Sequence, residues 1–418
     1  METSTTATLE RGAPAPARLW TRNFALYFGA RVVSLVGDAM MPVAAALVVG
    51  RIYGISGVGY VMAVWTASIV VFLVVGGALS DRFGARTMMI LSDVIRLAAQ
   101  GALAAAFFTG TPPLWLLMTM SLVSGMATAL FQPGVNGMVP LVAADPQRAN
   151  GVLKIADAGA QVGGPVLAGT LTAVASAGVV YTVDAATFLV SGLCLALIRG
   201  LPAAARVGTA LAREIREGWR EFRARSWMWS VIIIWVFFGL LVFGPSIPLG
   251  SRLIEERLGG AAYGWVMASL GLGTVIGGVI AMVLRPARPL AAGGLALVGF
   301  VCVPLTLALQ PSLPLLMAGH LVGGCAWAFW SVMWSTSVQT QVPYDVLNRV
   351  TAYEMAGSIS GMAAGQALVG PLTKVVAPRD LLLVSTATTA AVCAALLLTR
   401  PVRNLRARPS APLKGDAR

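Results

Sequence analysis

The chain is 418 residues long, with only 11% of its residues charged, 57% hydrophobic and a mean hydropathy of +0.80. A soluble protein of this length needs far more charge on its water-facing surface, so a soluble globular fold is excluded and the chain belongs in a bilayer. Its net charge of +13 would suggest a nucleic-acid partner for a soluble protein, but in a membrane chain the same Lys and Arg residues are read by the side on which they fall.

A span needs about 20 apolar residues, which leaves room for roughly a dozen spans joined by short loops. Residues 1–22 read as a polar, Ala/Pro-rich cytoplasmic tail without the apolar core of a removable signal peptide. Apolar runs then predict spans over 24–49, 58–80, 88–108, 114–139, 151–175 and 179–198, which together make an N-terminal six-helix bundle over residues 23–198. Between 199 and 227 the composition turns basic, and Ile215, Trp219 and Phe222 fall at helical spacing among Arg and Glu. That pattern reads as an amphipathic helix at the inner membrane surface, or as a solvated linker with no role beyond tethering. Runs over 228–249, 263–284, 290–309, 315–338, 350–376 and 381–399 repeat the count and predict a C-terminal bundle over 228–399, followed by a basic cytoplasmic tail over 400–418. An internal echo, Val139-Pro140 followed by Arg148 and Val342-Pro343 followed by Arg349, supports duplication. With the N-terminus inside, roughly 23 basic residues fall on the inner side and about 5 on the outer, so both termini are expected in the cytoplasm. Cys194, Cys302, Cys325 and Cys393 all fall in spans and offer no disulfide or metal framework. Short outer loops without an Asn-x-Ser/Thr sequence suit a bacterial cytoplasmic membrane.

Between the second and third spans lies a charged knot, Gly77-Ala78-Leu79-Ser80-Asp81-Arg82-Phe83-Gly84-Ala85-Arg86. Its glycines permit a tight turn and its charges hold that turn at a water interface. The knot resembles the signature loop of the major facilitator superfamily of secondary transporters, with Gly77, Leu79, Asp81, Arg82, Gly84 and Arg86 on the pattern and Ala85 where a basic residue is usual. In the fifth span, Gly151, Gly164, Pro165 and Gly169 match the hinge motif of the exporter subgroups, with Ala160 and Ala168 in place of glycines. Proline frees a backbone carbonyl and bends the helix, and small residues let neighbours approach. Longer strings, including Ser34-Leu35-Val36-Gly37-Asp38, Asp93-Val94-Ile95-Arg96, Phe131-Gln132-Pro133 and Asp184-Ala185-Ala186-Thr187-Phe188, resemble the macrolide-efflux and enterobactin-exporter branch over nearly the whole chain. Asn348 replaces that branch's usual glycine, and the fourth span lacks the mid-helix arginine that many proton-coupled drug antiporters carry. The resemblance implies an all-α polytopic membrane protein with the major facilitator fold, twelve transmembrane helices in two pseudo-symmetric six-helix bundles around a midplane cavity.

Ionisable groups inside spans are costly, about 2.5 to 3.5 kcal/mol at a helix centre, and must face protein or water. Asp38 lies near midspan with Arg31 two turns earlier on the same face. Asp38, with Arg31 as its modulator, is therefore a candidate for proton coupling or substrate contact, or else part of a fixed structural pair with partners on another helix. Asp93 and Arg96, three residues apart near the inner end of the third span, are expected to join a gate network with Asp81 and Arg86, with a substrate-site role as the alternative. Glu354 is read as an acid favoured by its own helix N-terminus, or else as part of that gate, and Asp157 and Asp184 as structural rather than functional. His320, the only histidine, titrates in the range a proton pump uses, but a lone histidine also serves as a hydrogen-bonded packing residue. Trp327, Trp330 and Trp334 form one helical stripe. In the resembled family the first, fourth, seventh and tenth spans line the cavity, which adds Trp235, Phe238, Phe131, Gln132, Met40 and Met41 as candidate substrate contacts.

There is no nucleotide-binding Gly-x4-Gly-Lys-Ser/Thr loop, no metal-ligand cluster and no nucleophile set. No enzymatic activity, cofactor or nucleic-acid partner is expected, and an ion gradient is the expected energy source. The expected function is proton-driven export of amphipathic small molecules by a monomer. A dedicated siderophore or metabolite exporter and a non-transporting receptor or scaffold of the same fold stand as alternatives.

Overall fold

The structure, a computed structural model, describes residues 20–143, 146–200, 219–342 and 344–406, without the side chains of 74–78, 80–82, 133, 136–137, 146–147, 344–349 and 351–352. Among the described residues there is no strand. In a bilayer every backbone N–H and C=O must find its partner within the chain, and these long apolar runs do so as helices.

The first half comprises α1 (Arg22–Phe83), α2 (Ala85–Thr109), α3 (Leu114–Val142), α4 (Pro146–Val174) and α5 (Ala177–Ala196). Helix α1 is two arms, reversed at Gly54, whose φ of 62° and ψ of −163° suit only glycine. In the second half α6 (Ser226–Phe238) passes through a π-helical turn, Gly239–Phe243, into α7 (Gly244–Leu258). Then come α8 (Gly260–Val283), α9 (Pro289–Ala296), a 3-10 turn at Leu297–Val301, α10 (Cys302–Leu309), α11 (Leu313–Gln341), α12 (Tyr344–Leu372), α13 (Pro378–Leu398) and the short α14 (Arg400–Arg403). Nine helical stretches among the described residues are long and apolar enough to cross a membrane, and the first, Arg22–Leu73, contains the Gly54 reversal. The twelve-span expectation is compatible with these elements. Apolar side chains such as Val174 (82% exposed), Val375 (80%) and Val283 (76%) point outward, as lipid-facing residues do.

Helices approach closely where small residues meet. On α8 and α11, Gly273 lies against the Leu321 carbonyl and Gly324 against the Leu270 carbonyl, so a side chain at either would strike backbone. One end of the molecule, the terminal face, gathers Asn23, which donates to the Arg199 carbonyl at 2.8 Å, and Gln341, which donates to the Arg406 carbonyl at 2.9 Å. At the opposite, distal face the two halves are joined: α1 packs on α12 and α4 on α8. There Gly59 meets the Gln366 carbonyl, Gly264 meets Pro165 and Gly169, and the buried Thr66 hydroxyl donates to Gln366 at 2.9 Å. Arg51 adds an ion pair with Glu255 across the same junction and donates to the Thr172 carbonyl at 2.8 Å.

Candidate functional site

Two cavities sit in the two halves and share no lining residue. In the first half, a cavity of ≈ 90 Å³ is bounded by Asp38, Met41, Arg96, Gln100, Asp184 and Phe188 among others. Arg96 is its centre. One guanidinium nitrogen donates to Asp38 at 2.9 Å and another to Asp93 at 3.1 Å. Asp93 also accepts from the Ser191 hydroxyl at 2.7 Å, and Asp38 from Ser34 at 3.4 Å. The guanidinium carbon lies over two rings, 4.6 Å from the Phe131 centroid and 4.3 Å from that of Phe188. A charge this deep, 2% exposed, is tolerable only when paired and hydrogen-bonded on this scale.

Asp184 lies fully buried against α1, so close that a Cβ at Gly37 would come 2.8 Å from its Oδ1, and neither of its oxygens has a hydrogen-bond donor. Arg31 also lies over Phe131, its guanidinium 5.5 Å from the ring. Three carboxylates, Asp38, Asp93 and Asp184, thus gather at Arg96; Arg96 pairs with the first two, and Asp184 is the carboxylate in excess.

The partnerships differ from those expected along the chain. Asp38 pairs with Arg96 on α2 rather than with Arg31, because the side chain that meets it comes from a neighbouring helix and helical phase along α1 does not identify that neighbour. Arg96 lines the Asp38 cavity, with Asp93 bonded behind it, and the Asp81 side chain of the expected gate network lies outside the described ones. Within that loop, Gly84 takes φ 86° at the start of α2, and Arg86 donates to the Leu195 and Ala196 carbonyls at 2.9 and 2.7 Å. A cation there satisfies the open C-terminal end of α5. The expected roles of Gly77, Asp81 and Arg82 fall on side chains outside the described ones. Residues 201–218 of the amphipathic linker are also outside; beyond them Trp219 stacks on Phe222 at 5.8 Å and against Tyr353 at 5.6 Å.

The hinge motif divides. Gly151 has open space around it, Gly164 presses on Ala39 and Met40 of α1, and Pro165 and Gly169 meet Gly264 of the other half. His320 is fully buried, with Nδ1 2.8 Å from the Leu316 carbonyl, and lines neither cavity. Phe131 belongs to the arginine cluster, Gln132 is exposed, and Met40 is buried beneath Met41.

In the second half, a cavity of ≈ 730 Å³ is walled by Trp235, Phe243, Trp327, Trp330 and Trp334. Trp235 meets Trp327 edge-on at 5.5 Å, and Trp330 stacks on Trp334 at 6.3 Å. Phe238, expected at this wall, is fully buried behind Trp235 with ring centroids 4.7 Å apart. The π-helical turn that ends at Phe243 adds a residue to the turn and swings this ring toward Trp327, 4.9 Å away. Glu354 of α12 completes the cavity, accepting from the Trp334 indole nitrogen at 2.9 Å. A helix start near residue 350 would make Glu354 an N-terminal acid, but α12 begins at Tyr344, ten residues earlier, which removes that account.

A family model described as Major Facilitator Superfamily matches residues 26–362. Macrolide efflux protein A of Streptococcus pyogenes is 22% identical over 274 residues, covering 62% of this chain and 66% of that protein. Enterobactin exporter EntS of Shigella dysenteriae serotype 1 is 23% identical over 370 residues, covering 85% and 86%. The uncharacterized MFS-type transporter YvqJ of Bacillus subtilis is 24% identical over 254 residues, 58% of this chain and 60% of its own length. The chain therefore spans just under two thirds of two of these relatives. The crystal structure of nucleoside transporter NupG superposes with a TM-score of 0.75 at 12% identity, covering 90% of this chain and 98% of that one, which is a likeness of fold.

Proposed function

Because this chain belongs to the Major Facilitator Superfamily, and so is a multi-pass membrane transporter rather than an enzyme, we propose that it exports amphipathic small molecules in exchange for protons. Its working units are residues 23–198 and 228–399, tethered by the linker over 199–227, with both termini in the cytoplasm of a bacterial cell. The halves rock about the midplane, and the arrangement described above is the one closed at the distal face. Gly164, Pro165 and Gly169 are the hinge, and the loop carrying Asp81, Arg82 and Arg86 closes the terminal face in the alternate state.

The observation that carries the reading is a carboxylate in excess of the pairing: Asp184 lies without a donor beside the Asp38–Arg96–Asp93 cluster, at a cavity between helices. A proton neutralises that excess, and Arg96 moves between its two carboxylate partners as the proton arrives or leaves. Asp38, whose side chain is 36% exposed, is the member that exchanges protons with water. Moving one charge across 100 mV supplies about 2.3 kcal/mol, enough to concentrate a neutral substrate roughly fiftyfold. The test is a susceptibility panel in a host lacking its own pumps. Intact protein raises tolerance to some amphipathic compounds, and Asp38→Asn and Asp81→Asn abolish the gain at equal membrane expression. Full tolerance with Asp38→Asn would remove the coupling role.

A further inference from the structure

The aromatic cavity of the second half holds a carboxylate where a hydrophobic substrate site needs none. Its volume of ≈ 730 Å³ is that of a small-molecule site. Its described lining contains no Lys, Arg or His, and Glu354 is the one charged residue among them. Four tryptophans and Phe243 present π-faces or edges to the same space. The Trp334 indole holds the carboxylate against this wall through a neutral donor, and no cationic side chain lies among the described lining residues.

We infer that this cavity is a binding site for lipophilic organic cations, with Glu354 as counter-ion and Trp235, Trp327, Trp330 and Trp334 as an aromatic cage. The inference rests on the transporter reading for the cavity's use and adds the class of substrate to it. A diffuse ammonium, phosphonium or iminium charge is weakly hydrated, so it gives up little water on entry and gains both the carboxylate and the ring quadrupoles. Beside Glu354 the described lining offers only the neutral oxygens of Ser331, Ser335, Ser358 and Gln339 and no second acid or histidine, a poor set for a metal ion. An anionic siderophore is repelled by the same group, which separates this reading from the dedicated siderophore exporter. The cation site and the proton-handling cluster lie in different halves, so one acid is not asked to serve both.

The experiment measures binding of radiolabelled tetraphenylphosphonium to the purified full chain in detergent, without any gradient, and its displacement by unlabelled probes. Tetraphenylborate has nearly the same size and shape with the opposite charge, and triphenylphosphine oxide is the neutral comparator. The expected result is displacement by tetraphenylphosphonium and not by tetraphenylborate. Glu354→Gln weakens the cation about tenfold or more while the neutral compound's affinity stays put, and Glu354→Asp recovers part of the loss. Equal competition by the anion, or an unchanged cation affinity in Glu354→Gln, overturns the inference, and the comparison of probes on the unaltered protein does not depend on any variant folding. Proton-driven flux of neutral compounds alongside that negative result would leave the transport reading standing. Glu354-dependent cation binding without any flux would remove the transport reading and leave the site.

Discussion

Replacing Gly264 by alanine is expected to pry open the distal face. The added Cβ would lie 2.5 Å from the Pro165 carbonyl oxygen and 3.0 Å from the Gly169 Cα, roughly 1 Å inside an ordinary heavy-atom contact. Both obstacles are backbone, so no rotamer change relieves the overlap, and α4 and α8 must part. Overpacking of this kind costs about 1 to 3 kcal/mol. Applied to the distal-closed arrangement alone, that shifts the balance between the two states by roughly 5- to 150-fold. Gly163, on the facing helix α4, has nothing within 4 Å of where a Cβ would stand and makes the control. Spin labels at Val174 and Val375, the exposed distal ends of the two halves, report the gap by pulsed electron resonance in a cysteine-free background. The expected outcome is a longer distance population in Gly264→Ala and none in Gly163→Ala. Identical distributions for Gly264→Ala and its parent would refute the idea that this junction belongs to one state only.

Three further outcomes follow from the same geometry. Asp93→Asn should lower the apparent thermal midpoint far more than Asp38→Asn, since Asp93 is 1% exposed between Arg96 and Ser191 and a broken buried pair costs about 3 to 5 kcal/mol; the reverse order would mean that Asp38 is the structural partner. Thr66→Val leaves the buried Gln366 oxygen without its donor, at about 1 to 3 kcal/mol. Adding Gln366→Leu should recover part of that loss, and strict additivity in a double-mutant cycle would show that the two do not interact. Glu255→Gln removes an ion pair whose arginine is 42% exposed, so its effect on the distal labels should stay within about 1 kcal/mol and shrink with added salt; a large, salt-insensitive opening would place this pair at the heart of the closure.

Much of the fold is legible in composition because a bilayer imposes its own rule: an apolar run of sufficient length becomes a helix, whatever its neighbours. The charged loop and the glycine-proline motif are local, and so they can be read from adjacent residues. What is not local is hidden. Asp38 is marked out by burial of a charge, yet its partner Arg96 arrives from another helix, 58 residues on. The contacts of Gly59 and Gly264 depend on which helix lies opposite, and Gln366 and Thr66 are 300 residues apart. Glu354 reads as a helix-start acid only if its helix begins near residue 350; α12 begins at Tyr344, and the place of Glu354 in the aromatic cavity depends on helices distant in sequence. The tryptophan stripe was visible at helical spacing, but the π-helical turn that brings Phe243 to it follows from no periodic pattern.

The most direct measurement is flux into or out of vesicles holding the purified protein, with a pH gradient imposed across the membrane and a fluorescent amphipathic dye as cargo. The expected result is uphill movement of dye that reverses with the gradient, stops when the gradient is collapsed, and is lost in Asp38→Asn. Dye movement indifferent to the gradient, or unchanged by Asp38→Asn, would contradict proton exchange at the buried carboxylate cluster.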